Sequence, residues 1–110
     1  MSETFTDLLT VPVGEMGRNG KTATLPAVYS EDELFAVHES VDMRGYFTVT
    51  HVPTGRAMTR TQESEEAGWL VVEKLRALGW NWKSPVHSYY LLQRDKLNPE
   101  QAAWLREISN

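Results

Sequence analysis

Residues 34–60, LFAVHESVDMRGYFTVTHVPTGRAMTR, decide the fold. Two strand-like runs, Leu34 to Glu39 and Tyr46 to Val52, flank Asp42-Met43-Arg44-Gly45, whose Asp-first, Gly-last order is that of a type I turn. Strict alternation in the second run puts Phe47, Val49 and His51 on one face and Tyr46, Thr48, Thr50 and Val52 on the other. Pro53-Thr54-Gly55 then reverses the chain into a third predicted strand, Arg56 to Arg60. The stretch reads as three antiparallel strands joined by short turns.

Beyond it the apolar period changes. Ala67, Leu70, Val71, Leu75 and Leu78 recur at three- and four-residue spacing, which predicts an amphipathic helix over 61–78 with these leucines and valine buried. Thr61 is the expected cap, Glu63, Glu65 and Glu66 suit the positive end of the helix dipole, and Gly79 is the expected stop. Gly68 would be tolerated there if the helix must come close to the sheet. After a loop through Trp80 and Trp82, the β-rich run Val86 to Gln93 predicts a fourth strand. Asn98, Pro99 and Gln101 form a helix-start signature, so a short C-terminal helix to Ser109 should bury Leu105, Ile108 and one side of Trp104.

Upstream, Leu8 to Val13 and Thr22 to Tyr29 look extended, and Asn19-Gly20 between them is a hairpin signal. Both segments carry proline, which belongs at sheet edges, so residues 1–30 read as an edge β-ribbon. The fold class is therefore α+β: an antiparallel sheet with one amphipathic helix packed on a face and a short C-terminal helix, all in a single domain spanning 1–110. With 41% apolar and 24% charged residues, the 110-residue chain has an ordinary globular composition. It has no cysteine, no signal-like amino terminus and no apolar run near a membrane span, so a cytoplasmic protein without disulfides or thiolate metal sites is expected.

Charge is uneven. Residues 1–55 carry eight acids against three bases, and residues 56–110 carry seven against eight. Glu31, Asp32, Glu33, Glu39 and Asp42 are expected to form one negative surface around the strand 34–39, suited to a partner protein with a basic surface. Trp82, with Tyr89 or Tyr90, is a second candidate patch, because aromatic rings concentrate binding energy; packing between helix and sheet is the alternative use of those rings.

Other patterns fail on mechanical grounds. Gly14 to Thr22 ends in Gly-Lys-Thr like a phosphate loop, yet its glycine spacing is one residue too long and Ala23-Thr24-Leu25-Pro26 is a poor helix start. Arg44-Gly45-Tyr46-Phe47 partly resembles the aromatic strand of RNA recognition motifs, so Arg44, Tyr46, Arg56 and Arg60 make an alternative nucleic-acid face. His38, His51 and His87 have no local ligand spacing, and no nucleophile elbow or acid–base pair stands out. Neither an enzyme nor a bound cofactor or metal is expected.

The hairpin Thr50-His51-Val52-Pro53-Thr54-Gly55, followed by a helix opening Glu65-Glu66-Ala67, resembles small proteins of bacterial phages and mobile elements. That resemblance, which covers some thirty residues, implies binding to another macromolecule, since such proteins include inhibitors of host defence such as anti-CRISPR proteins. It assigns no functional residue. The expected function is a protein-binding module, with an inhibitor of a host nucleic-acid-handling protein as its setting and a nucleic-acid-binding accessory protein as the alternative.

Overall fold

The computed structural model describes residues 4–12, 22–41, 43–59 and 61–109. They form a five-stranded antiparallel meander, β1 (Phe5–Pro12), β2 (Thr22–Tyr29), β3 (Phe35–Glu39), β4 (Phe47–His51) and β5 (Arg56–Ala57), followed by α1 (Glu65–Ala77), α2 (His87–Arg94) and α3 (Pro99–Ser109). The α+β expectation holds, with three helices instead of two. None of the described helices is long and apolar enough to cross a membrane.

Register sets the two faces. Phe35 stands opposite His51 and Val37 opposite Val49, so these four share one side, and α1 lies across it. Gly68 explains the close fit, because a Cβ at that position would come within 2.9 Å of a Val37 methyl. The propensity cost of glycine is offset by a helix backbone resting almost directly on β3. Phe35, Val49 and Leu75 are fully buried here, with Val71 and Val72 beside them and Leu105 and Ile108 of α3 closing the layer. On the opposite face Ala27, Tyr29 and Ala36 form a smaller cluster with Leu9 and Val52.

Helix α1 begins later than its periodicity suggested. Gln62 is drawn into a bridge with Phe47, so Thr61 lies before the helix and Ser64 is the cap, its hydroxyl accepting the Ala67 N–H at 3.1 Å. Replacing Ser64 with alanine should cost about 1 kcal/mol, seen as a lower urea midpoint at unchanged slope. Leu70, expected in the core, is 56% exposed because it sits almost diametrically across the helix from Val72. Leu78 is half-buried.

The predicted strand 86–93 is helix α2. Its second half, Leu91-Leu92-Gln93-Arg94, consists of good helix formers. Period-two burial would have hidden Tyr90 and Leu92 together, whereas Tyr90 is 7% and Leu92 62% exposed. Tertiary packing fixes the outcome: the Tyr90 ring stacks on Trp82 at 5.2 Å and its hydroxyl donates to the Ser84 carbonyl at 2.6 Å, a seat that one ring on a helix can take. In α3 the cap signature is realised, with the Gln101 N–H donating to Asn98 Oδ1 at 2.8 Å.

The β1–β2 ribbon forms as expected and β1 is an outer strand, while Asn19-Gly20 lies outside the described residues. Both outer strands are poor templates for further pairing. Leu8 stands opposite Pro26, which has no N–H to give; its own N–H donates to the Asp7 carboxylate at 2.8 Å and its carbonyl accepts the Tyr29 hydroxyl at 2.9 Å. At the other edge β5 keeps only Arg56 and Ala57 of the predicted strand 56–60. Short or self-capped edges of this kind discourage strand addition.

Candidate partner-binding surface

The acidic residues divide into two groups at opposite ends of β3. In the turn before it, the Ser30 hydroxyl donates to Asp32 Oδ1 at 2.6 Å, the Leu34 N–H reaches the same carboxylate at 3.2 Å, and Glu33 takes up a left-handed conformation with φ of 60°. Arg76 of α1 then grips Asp32 with two nitrogens at 2.6 and 2.9 Å while its guanidinium lies 5.1 Å from the centre of the Phe35 ring. Chiefly through this bond to Arg76, the Asp32 carboxyl is held well below the usual carboxylate range. Asp32 thus fastens the end of α1 to the sheet, leaving Glu31 and Glu33 as the exposed acids of the turn. Glu39 lies a strand length away, and Asp42 falls outside the described residues.

The Glu39 carboxylate accepts the Gly45 N–H at 3.4 Å and shares a groove with Glu65 at the start of α1. The β2–β3 ladder ends at Val28 opposite Val37; continued, its register would set Ala27 against His38 and Pro26, which cannot donate, against Glu39. Where the strands part, a groove of about 330 Å³ opens, floored by Val28, Val37 and Phe47, walled by Pro26 and rimmed by Glu39 and Glu65. Neither lysine nor arginine lines it among the described residues. Leu8, paired with Pro26 and 63% exposed, extends its apolar surface along the ribbon. Glu65, Pro26 and Leu8 were not candidate residues in the sequence; only the misplaced proline hinted that β2 parts from its neighbour.

The aromatic candidates are used for packing. Trp82 is 5% exposed and Tyr90 7%, and Tyr89 is half-buried with its hydroxyl accepting the Asn81 N–H at 2.8 Å. At their centre is His51, fully buried, with ring contacts of 5.5 Å to Trp82 and 5.0 Å to Tyr90. Its Nε2 lies 2.6 Å from the Trp82 carbonyl, which can only accept, so Nε2 carries the proton and Nδ1 accepts from the Thr54 hydroxyl at 2.9 Å. His38 has the opposite tautomer: Nδ1–H donates to the Glu39 carbonyl at 2.9 Å and Nε2 accepts from Thr50 at 2.8 Å. Burial lowers the pKa of both rings and keeps them neutral. They act as structural pins.

The alternative nucleic-acid residues do not converge. Arg44 and Tyr46 precede β4, whereas Arg56 stands opposite His51 at its far end and on the helix-bearing face, opposite to that of Tyr46 by strand alternation. Arg60 is outside the described residues. So is most of the phosphate-loop look-alike, and the segment after Lys21 is strand β2 where such a loop needs a helix. Among the described residues no three histidines, cysteines or carboxylates converge as metal ligands.

No family model matches this chain, and no curated protein or solved structure matches it.

Proposed function

We propose that this protein is a protein-binding module that holds a basic, extended segment of its partner in the groove between β2 and the start of α1. The observation that carries the reading is the pairing of an apolar floor with two carboxylates, Glu39 and Glu65, and no cation in the lining among the described residues. Apolar burial would supply affinity, and the carboxylates would select arginine or lysine and speed the encounter. Glu31 and Glu33, exposed at the other end of β3, extend the same attraction. A phage-type inhibitor of a nucleic-acid-handling protein is the setting that suits this chemistry, because such targets carry basic surfaces.

The test uses a synthetic peptide of alternating arginine and valine, titrated into the 15N-labelled protein. Saturable binding with amide shifts centred on Pro26's neighbours, Glu39 and Glu65 is expected. The Glu39→Gln, Glu65→Gln double variant should weaken it by about tenfold at low salt and by less as salt screens the charges. Equal affinity of the double variant, or equal binding of a glutamate–valine peptide, would refute the reading.

A further inference from the structure

Helix α2 presents a second surface of opposite character. His87, Leu91 and Arg94 fall at i, i+4 and i+7, which places them on one stripe of the helix. Leu91 is 37% exposed, and Val86, the residue just before the helix, is 54% exposed. Arg56 joins them from the sheet, because it stands opposite His51 in the β4–β5 ladder and His51 contacts Tyr90 of the same helix. We propose that this face of α2, with Arg56, is a docking site for an acidic amphipathic segment of a partner protein, whose apolar side chains cover Val86 and Leu91 while its carboxylates meet Arg56 and Arg94.

Charge complementarity fixes the class of occupant. The charges of Arg56 and Arg94 both oppose protonation of His87, after the effect of its partial burial, so the three side chains share one electropositive neighbourhood. A surface that combines exposed aliphatic side chains with cations matches a segment that combines aliphatic side chains with anions. Nucleic acid fits less well: stacking on bases needs open rings, yet Tyr90 is buried and the Tyr89 hydroxyl is engaged with the backbone of Asn81. The chain's net charge of −4 also repels a long polyanion, whereas a short acidic peptide feels chiefly the local field. This surface is independent of the β2–α1 groove and takes the opposite charge, so success or failure at one site leaves the other unaffected.

The probe is a synthetic peptide with leucine at helical spacing and glutamate elsewhere, measured by fluorescence polarisation and by amide shifts on the full chain. Binding should saturate, with the shifts confined to Val86–Arg94 and the neighbourhood of Arg56. Leu91→Ser and the Arg56→Glu, Arg94→Glu double variant lie at exposed positions, so helical circular dichroism should be unchanged while affinity drops about tenfold in each. No saturation, full affinity in these variants, or equal binding of the lysine counterpart of the peptide would overturn the proposal. Tighter binding of a single-stranded oligonucleotide on the same face would overturn it too, assigning the surface to nucleic acid.

Discussion

Replacing His51 with alanine is expected to destabilise the fold by on the order of 3–5 kcal/mol, comparable to deleting a buried ring. The substitution removes contacts with the rings of Phe35, Trp82 and Tyr90, and it strands the Trp82 carbonyl that Nε2–H now satisfies. A pH dependence follows from the same burial. Above the usual histidine value of 6.5 neither the folded nor the unfolded chain protonates His51 or His38, and stability should be flat. Below it the unfolded chain takes up protons that the folded chain refuses. Stability should then decline by up to about 1.4 kcal/mol per pH unit for each ring, until the lowered folded-state pKa is passed. Asp32 acts in a separate window: its depressed pKa means that its contribution is lost only below the ordinary carboxylate value of 3.8. Urea midpoints measured from about pH 7.5 down to about pH 5 should fall in the native protein; a flat profile would show that neither ring is held neutral.

Leu75→Ala should cost about 2–5 kcal/mol, the range for truncating a fully buried leucine. Leu75 is 0% exposed and sits between sheet and helices, and its carbonyl accepts the Trp82 indole N–H at 3.1 Å. Leu70, on the same helix and in the same apolar periodicity, is the internal control. Its exposure limits the cost of Leu70→Ala to roughly 0.5 kcal/mol. Denaturation of the two variants side by side tests the orientation of α1; equal losses would mean that the helix is rotated from the one described.

The comparison of Leu70 with Leu75 shows what periodicity alone conveys. Three- and four-residue spacing marks a helix, yet the apolar set 67, 70, 71, 75 and 78 spans more than one face, and only the depth at which Gly68 meets Val37 selects the buried stripe. The meander from Leu34 onward was legible because turn chemistry and alternation agree there. Residues 86–93 misled because tyrosine and leucine suit strands and helices alike when packing decides. Their fate depended on Trp82, whose ring stacks on Tyr90 eight residues further along the chain. The acidic cluster was legible as charge and illegible as geometry. Nothing local announces that Asp32 will be captured by Arg76, or that Glu39 and Glu65 will line the same groove as Pro26.

The distribution of tryptophan has an optical consequence. Trp69, Trp80, Trp82 and Trp104 all belong to the helices or their connections, and the ribbon from Phe5 to Tyr29 has none. Emission from these indoles therefore reports on the helical layer, most directly through Trp82 with the Tyr90 and His51 rings beside it. Peeling of β1 away from β2 would pass unseen. The stacked pair Phe5 and Tyr29, 5.1 Å apart and nearly parallel, offers the complementary signal through a fluorinated Phe5. Coincidence of the two unfolding curves would show that ribbon and helices melt as one unit; separation would reveal a fold whose two sides come apart at different denaturant concentrations.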